Sequence, residues 1–324
     1  MVLRTPRELS PKTATFPAMS YDVLCAGELL VDLISTDATA DVSAATTFAP
    51  VPGGSPANLA TNLRHLGVDA QLVAAVGDDA FGDLLQAHLD SCGLSREHVR
   101  TIPATPTTVV TVTRSVASPS YEVYRGADPQ VEWSQFEPFV QAPPRIFHTT
   151  CFALSGLPAR SHLLRASRVL AKAGTILSID ANYAEKVWPD RARARRVVAD
   201  YIAQGALVKM SDDDWLRLHG ETLTPDIAEA RGRALLHAGA RQVCFTFGSA
   251  GAVLVTSAGV VRLSPKPVDV VDSTGAGDSF WSGFLAAYLA GESPERCLET
   301  GINVAAVKLQ RVGTLAAPLD WRAL

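Results

Sequence analysis

Short apolar runs alternate with longer amphipathic segments over the C-terminal half of the chain. Runs of about five apolar residues predict strands over 145–149, 176–180, 206–210 and 242–247. Apolar residues at helical spacing predict helices over 158–173, 191–203, 212–219 and 226–238. A hairpin is predicted over 252–264. Repeated strand–helix units indicate an α/β fold in which helices cover both faces of a parallel sheet.

The N-terminal half begins with a nearly unbroken apolar run. It predicts one strand over Tyr21–Ile34 that is buried on both faces, as in a parallel sheet. Asp32 lies within this run, so its carboxylate either faces solvent at the strand end or binds a partner. A second strand is predicted over Gln71–Val76, and the helix after it ends near Cys92.

Two segments interrupt the strand–helix rhythm and predict a small separate sheet. Residues 107–114 and 121–125 alternate as a hairpin does, and 35–52 read as a loop with a short exposed strand. We expect lid strands inserted at about 35–50 and 105–127, lying over the ligand end of the main sheet or forming a dimer contact. Tyr124 and Arg125 close the hairpin, where the arginine either reaches an anionic or hydroxylated substrate or is a plain surface residue.

A double glycine, Gly53-Gly54, precedes a predicted helix. Ser55 is the expected helix cap and Pro56 the first helical residue. Asn58 then lies in the first turn, so its amide and the glycine backbone can meet a polyhydroxyl ligand together. The alternative is an ordinary loop-to-helix turn.

Composition excludes several classes of function. The 324 residues are 47% apolar with a net charge of −4, which argues against nucleic acid as the main partner. No apolar run approaches the roughly 20 residues that span a bilayer, so no membrane contact is expected. Residues 1–20 lack the apolar core of a secretory signal and are predicted as a flexible extension before one domain over 21–324. The five cysteines, with no C-x-x-C pair, indicate free thiols in a reducing cytoplasm rather than disulfides or zinc ligands.

Polar residues cluster at the predicted carboxyl ends of the strands, where ligands bind in parallel sheets. The clusters are Asp180 with Asn182, Lys209 with Asp214, Thr246–Gly251 and Asp272–Asp278. Their convergence at one edge predicts an active site.

The last cluster reads Asp-Ser-Thr-Gly-Ala-Gly-Asp over 272–278, a glycine turn at a helix start. Such a turn is a seat for an anion such as phosphate. It matches neither a Walker P-loop nor a dinucleotide fingerprint, and the chain has no G-x-S-x-G elbow. The turn suits phosphoryl transfer to a hydroxyl. The N–H groups of Gly275, Ala276 and Gly277 would stabilise the phosphoryl charge, while Asp278 accepts the hydroxyl proton.

These residues resemble the ribokinase-like carbohydrate kinases, also called the PfkB family. The N-terminal signature is matched by Gly-Gly-Ser-Pro-Ala-Asn-Leu-Ala at 53–60 and Gly-Asp-Asp-Ala-Phe-Gly at 77–82. The C-terminal signature is matched by 272–280, and the resemblance covers roughly 21–320. It implies a Rossmann-like parallel sheet with a small β-sheet lid, and ATP-dependent phosphorylation of a sugar with Mg²⁺.

The resemblance also implies roles for single residues. Asp278 resembles the catalytic base and Gly275–Gly277 the anion hole. The residues that resemble those holding the sugar hydroxyls are Asp32, Gly53, Gly54 and Asn58. Thr246, Gly248 and Gly251 fall where the family packs ATP, and Asn303 falls where the last helices border the adenine.

Two cation sites are implied in the same way. The segment from Lys209, itself assigned to ATP, to Asp214 takes the place of the family's N-x-x-E element, which organises Mg²⁺ through water. Ser211 replaces its Asn and Asp214 its Glu, which shortens the reach. Asp272, the backbone of Thr274 and the Gly313 region resemble a monovalent-cation site of some members, and a response to K⁺ is left open.

The sugar is expected to be fructose. The segment 27–32, the pair Tyr124-Arg125, and Asp180 with Asn182 look most like fructokinases. The chain departs from them at Ala184, where those enzymes usually carry Arg, and at Ala181, where they carry Pro. Alternatives are 2-keto-3-deoxygluconate kinase, a nucleoside kinase, and a non-catalytic sugar- or nucleotide-sensing homologue. Lid sheets of this family often pair between subunits, so a homodimer through the lid is expected.

Overall fold

The computed structural model describes residues 21–39, 41–114, 120–311, 315 and 318–324. The predicted extension over 1–20 and Gly313 of the predicted cation site lie outside the described residues.

The described residues form two β-sheets and a set of helices. The strands are β1 Val23–Ala26, β2 Leu30–Ala38, β3 Phe48–Gly53, β4 Ala70–Gly77, β5 Val99–Ile102, β6 Val109–Arg114, β7 Tyr121–Tyr124, β8 Ile146–Thr150, β9 Ile176–Asp180, β10 Leu207–Ser211, β11 Gln242–Thr246, β12 Ala252–Val255 and β13 Val260–Leu263. The α-helices are α1 Ser55–His65, α2 Ala80–Ser91, α3 Glu137–Gln141, α4 Cys151–Ser155, α5 Ala159–Lys172, α6 Arg191–Ile202, α7 Asp212–His219, α8 Pro225–His237, α9 Ala276–Leu289 and α10 Pro294–Leu309.

The large sheet has nine strands in the order β13-β12-β11-β10-β9-β8-β1-β4-β5. The run from β11 to β5 is parallel, and the β12–β13 hairpin is antiparallel at one edge. This confirms the α/β architecture predicted from the strand–helix rhythm. β5 and the short helix α4 are elements that the apolar pattern did not predict.

Helices cover both faces of this sheet, and β1 shows why its sequence is apolar throughout. Leu24 and Ala26 point into one hydrophobic core, whereas Val23 and Cys25 point into the other. A strand with cores on both sides has no solvent face, so the usual apolar–polar alternation is lost.

The prediction of a single strand over Tyr21–Ile34 was wrong, because the chain changes sheets within this run. Gly27 has φ of +151°, and a side chain there would overlap Ala153 and Pro56. After this bend β2 enters the small sheet, where Asp32 lies opposite Val51 and Val110. β1 and the start of β2 are both largely apolar, so the pattern alone does not reveal the break.

The small sheet, called the lid below, has the strand order β3-β2-β6-β7. β6 and β7 form the predicted hairpin, and β2 with β3 forms a second antiparallel pair. β2 and β6 join the two pairs in parallel. The lid thus begins at residue 30 and includes residue 53, a wider insertion than the predicted 35–50.

Asp79 ties the lid to the large sheet. Its carboxylate caps α2 by accepting from Gly82 N at 2.8 Å. It also accepts from Thr107 N and Thr107 Oγ1, both at 2.7 Å, just before β6 begins. The 77–82 signature therefore has a structural role in this chain, because its Asp79 holds the base of the lid.

The Asp79→Ala substitution should lower the free energy of unfolding by about 2 kcal/mol, because a helix cap and the bonds to Thr107 are lost together. Urea denaturation followed by circular dichroism measures this loss. Asp83→Ala, an exposed acid one turn along the same helix, is the matched control and should stay within about 0.5 kcal/mol of wild type. Equal stability of the two variants would contradict the tie.

Candidate active site

The glycine turn before α9 forms as predicted. Gly275 takes the left-handed conformation with φ of +72° and directly precedes the helix, which starts at Ala276. The N–H of Ala276 donates to Ser273 O at 3.2 Å, so this predicted anion-hole donor is engaged within the turn. Among the described residues, no such backbone acceptor is found for the N–H of Gly277. The glycine turn therefore lies at the positive N-terminal end of α9.

Asp278 is buried in the first turn of α9 and is held from the opposite side by α1. Its Oδ1 accepts from Ser55 Oγ at 2.6 Å and its Oδ2 from Asn58 Nδ2 at 2.9 Å. Burial raises the pKa of Asp278, although both hydrogen bonds and the charges of Lys209 and Lys308 oppose the rise. The predicted cap role of Ser55 was wrong, because its hydroxyl bonds to Asp278 and α1 begins after Gly54 without a side-chain cap.

The double glycine is required by close packing. A side chain at Gly53 would overlap the Asp32 carboxylate, and one at Gly54, with φ of +101°, would overlap the Glu28 carbonyl. Gly53 thereby lets Asp32 approach the start of α1, next to Asn58. Glu28, part of the fructokinase-like segment 27–32 but given no role of its own, is buried beneath this turn, where Thr150 Oγ1 donates to it at 2.8 Å. Burial raises the pKa of Glu28 to about 8.

A cleft lies between the lid and the start of α9. Its lining includes Asp32 and Val51 from the lid, Asn58 from α1, and Gly275 from the glycine turn. Burial, with the negative charges of Asp278 and Asp272, raises the pKa of Asp32 to about 7. The structure thus brings together four of the residues predicted from separate motifs: Asp32, Gly53, Asn58 and Asp278.

Lys209 lies on the other side of the turn. Its ammonium bonds to Asp180 Oδ2 at 2.8 Å, and both side chains are buried. A Cβ on Gly277 would lie 2.9 Å from Lys209 Nζ, so the glycine leaves room for this cation close to the helix start. Burial opposes it, but the charges of Asp180 and Asp214 raise the pKa of Lys209. The lysine is therefore a fixed positive charge beside the anion turn.

Asp214, the predicted Mg²⁺ residue, is part of a helix cap. Its Oδ2 accepts from Ser211 N at 3.0 Å and from Ser211 Oγ at 2.6 Å at the start of α7. This leaves Oδ1 for a contact through water. Among the described residues no three acidic, histidine or cysteine side chains are grouped as a metal cage.

The predicted ATP residues lie around the end of β11. Thr246 ends that strand, and Gly248, with φ of +54°, is exposed with open space above it. Gly251, with φ of +98°, packs on the Leu263 carbonyl in the hairpin. Asn303 is half-buried on α10. Their contact with ATP stays a prediction.

The two predicted lid residues differ in their surroundings. Tyr124 is exposed at the end of β7. Arg125 is instead engaged in the protein, where it pairs with buried Asp128 at 2.7 Å, contacts Ser155 Oγ and lies over the Phe152 ring. It ties the lid hairpin to α4, and its contact with a substrate stays a prediction.

A lysine that no motif indicated, Lys308, contacts the predicted monovalent-cation residue Asp272. Lys308 Nζ donates to Asp272 O, Asp272 Oδ2 and Arg311 O, each at 3.1 Å. Thr274 N donates to the other carboxylate oxygen of Asp272 at 3.0 Å. The sequence could have indicated this lysine by its position, because Lys308 lies on the same buried face of α10 as Gly301 and Val304.

Several general predictions can be compared with the described residues. All five cysteines are free thiols, as predicted. None of the described helices has the length and apolar character needed to cross a bilayer.

Comparison with known proteins identifies the family. The model of the pfkB family carbohydrate kinases matches residues 20–322. The chain is 34% identical over 300 residues to the ATP-dependent 6-phosphofructokinase of Thermoanaerobacterium thermosaccharolyticum, covering 93% of this chain and 91% of the relative. It is 31% identical over 262 residues to probable fructokinase-4 of Arabidopsis thaliana, covering 80% and 79%.

A solved structure agrees in fold as well as in sequence. The fructokinase of Halothermothrix orenii superposes with a TM-score of 0.75 at 33% identity, covering 88% of this chain and 99% of that one. The family match, the two-sheet architecture and the glycine turn agree with one another. The chain belongs to the PfkB family of carbohydrate kinases.

Proposed function

We propose that this sugar kinase transfers the γ-phosphoryl group of ATP to a hydroxyl of fructose, with Asp278 as general base. The observation that carries the proposal is the position of Asp278, whose carboxylate lies between the Asp32–Asn58 cleft and the glycine turn. A sugar in the cleft and a phosphoryl group at the turn would meet at this carboxylate.

Proton transfer follows from the surroundings of Asp278. The sugar hydroxyl would replace Ser55 or Asn58 as hydrogen-bond donor to the carboxylate, which then accepts the proton as the sugar oxygen bonds to the γ-phosphorus. The bond from that phosphorus to the bridging oxygen breaks, and ADP leaves. A raised pKa makes Asp278 a stronger base than an exposed aspartate, and general-base catalysis is worth about 10²–10⁴ in rate.

The glycine turn and Lys209 would stabilise the charge on the transferring group. Donors and cations already in place at the developing charge are most effective in a buried site. Gly275–Gly277 give the turn its close approach, and Lys209 adds a buried charge beside Gly277. Thr246, Gly248, Gly251 and Asn303 would border the nucleotide.

Mg²⁺ is the cofactor expected with ATP, and the residues present fit it. Mg²⁺ is usually held by one or two carboxylates together with waters and substrate phosphates. Asp214 would hold it through water, with Oδ2 kept in the helix cap. When bound, the ion would neutralise charge on the β- and γ-phosphates.

Fructose 6-phosphate is a second candidate substrate, because the Thermoanaerobacterium relative bears that activity in its name. A substrate phosphate is held best by a free cation in the cleft. Among the described residues that line the cleft, the cation is Lys308, which is already bonded to Asp272 and Arg311. Asp32 and Asn58 instead suit neutral hydroxyls, so the lining favours the unphosphorylated sugar. The same argument disfavours the carboxylate of 2-keto-3-deoxygluconate.

The broader expectations fit this proposal. Five free thiols support a reducing cytoplasm as the compartment. A homodimer through the outer face of the lid stays a prediction, which light scattering in solution would test.

A coupled ADP-release assay tests the substrate. With Mg²⁺ and ATP, kcat/KM for fructose should exceed that for fructose 6-phosphate and 2-keto-3-deoxygluconate by at least about tenfold, because their anionic groups would meet acidic lining residues and a lysine that is already paired. Adenosine, assayed in parallel, tests the nucleoside-kinase alternative, which a higher kcat/KM for adenosine than for fructose would favour. A higher value for fructose 6-phosphate would replace the proposal with phosphofructokinase. Absence of ADP release with every sugar would favour the non-catalytic homologue.

The Asp278→Asn variant should lose about 10²-fold or more in kcat, because the amide cannot accept the hydroxyl proton. Binding of fructose and ATP, measured by calorimetry, should stay near that of wild type. Asp190→Asn, an exposed cap of α6 whose replacement also caps helices well, is the control and should retain full activity. Comparable kcat values for the two variants would exclude Asp278 as the base.

The KM for fructose should depend on pH through Asp32. The carboxylate with a pKa of about 7 is ionised above that pH, where it accepts hydrogen bonds from two sugar hydroxyls, and is protonated below it. KM should therefore rise between pH 8 and pH 6, by at most about tenfold per unit. Asp32→Asn should raise KM at pH 8 and make it independent of pH; an unchanged pH profile in this variant would assign the dependence to another group.

A further inference from the structure

The cation bonded to Asp272 is a side chain of the protein, the ammonium group of Lys308. Lys308 is only 1% exposed, and its three N–H bonds are all used, by Asp272 O, Asp272 Oδ2 and Arg311 O. A carboxylate and two backbone carbonyls form an oxygen set that suits a monovalent cation, and here a primary ammonium occupies it. A potassium ion cannot bind the same oxygens, because the positively charged ammonium group of Lys308 already lies among them.

This contact supports the glycine turn. Asp272 begins the segment that leads to Gly275. This segment is joined to the end of α10, because Leu309 O accepts from Val271 N at 2.8 Å and from Asp272 N at 3.3 Å. The Cε of Lys308 lies 4.0 Å from the place where a Cβ on Gly275 would stand. The lysine therefore packs beside Gly275, the residue whose left-handed conformation starts the anion turn. Its charge also acts on Asp278.

We propose that Lys308 is a built-in monovalent cation that positions the anion turn, so that this kinase needs no K⁺. This inference rests on the proposed function only in those tests below that measure enzymatic activity. Lys308 is a positioning residue in this account, since its ammonium contacts Asp272 and Arg311 rather than the reacting atoms.

Wild-type enzyme gives the first test. The kcat for the preferred sugar should change less than about twofold between choline chloride and potassium chloride at equal ionic strength, which keeps screening of surface charges equal. Activation by K⁺ of more than about fivefold in wild type would overturn the proposal.

Two variants separate the effect of the Lys308 charge from the effect of the volume that its side chain fills. Lys308→Ala opens the oxygen set, whereas Lys308→Met fills the space with an uncharged chain of similar length. In choline both should lose at least about tenfold in kcat, because a displacement of catalytic groups by about 1 Å can cost up to 10²-fold. K⁺ or NH₄⁺ should restore Lys308→Ala but not Lys308→Met.

Arg145→Met is the matched control. Arg145 also bonds to a carboxylate, Asp22, and to a backbone carbonyl at the far end of α9, Leu289 O. Its loss should leave kcat unchanged and should create no response to K⁺. A K⁺ response of this variant equal to that of Lys308→Ala would overturn the proposal, since the effect would then be general.

Thermal melting without substrates gives a readout that is independent of the reaction. A cation that binds only the folded chain raises its melting temperature. Replacing choline with K⁺ should raise the melting temperature of Lys308→Ala by about 2 °C or more relative to wild type and Lys308→Met. If Lys308→Ala shows no K⁺ effect on melting, the oxygen set is not a cation site and the proposal fails, whatever sugar the enzyme uses.

Discussion

Burying an ionised carboxylate costs several kcal/mol unless hydrogen bonds and positive charge replace the lost water, and Asp278 is such a group. The helix start of α9 supplies one part of the replacement, because its N-terminal end is positive. Ser55 and Asn58 supply hydrogen bonds from α1. The mutual position of α1 and α9 is therefore fixed by an electrostatic requirement as well as by packing. The cleft lined by Asp32 and Asn58 lies where these helices meet.

Two buried lysines explain how so many acids can lie close together. Four acids lie around the glycine turn: Asp32, Asp180, Asp272 and Asp278. Carboxylates that share a buried site repel one another. Lys209 pairs with Asp180, and Lys308 pairs with Asp272. Removing one partner of a buried pair typically costs about 3–5 kcal/mol. The glycine turn thus lies between two buried cations, each of which is paired with an aspartate.

Much of the fold could be predicted from the apolar pattern, because each strand and helix of the C-terminal half carries its own period. The strand 176–180 has the predicted bounds, and α6 and α7 differ from prediction by at most one residue. The break at Gly27 could not be predicted, since β1 and the first residues of β2 read as one apolar run. Ser55 was assigned to the wrong partner because a serine before a helix ordinarily caps it, whereas here a carboxylate 223 positions away accepts its hydroxyl.

The sequence by itself determined the local features: the alternation of strands and helices, the glycine turn, the acid after it and the family signatures. These depend on neighbouring residues, so short stretches of chain reveal them. Only the tertiary structure decided which distant groups meet. It placed Ser55 and Asn58 against Asp278, engaged Arg125 with Asp128, and brought the ammonium of Lys308 to Asp272. The physical reason is that a buried charge must find partners wherever the packing of sheets and helices brings them, and sequence spacing carries no record of that contact.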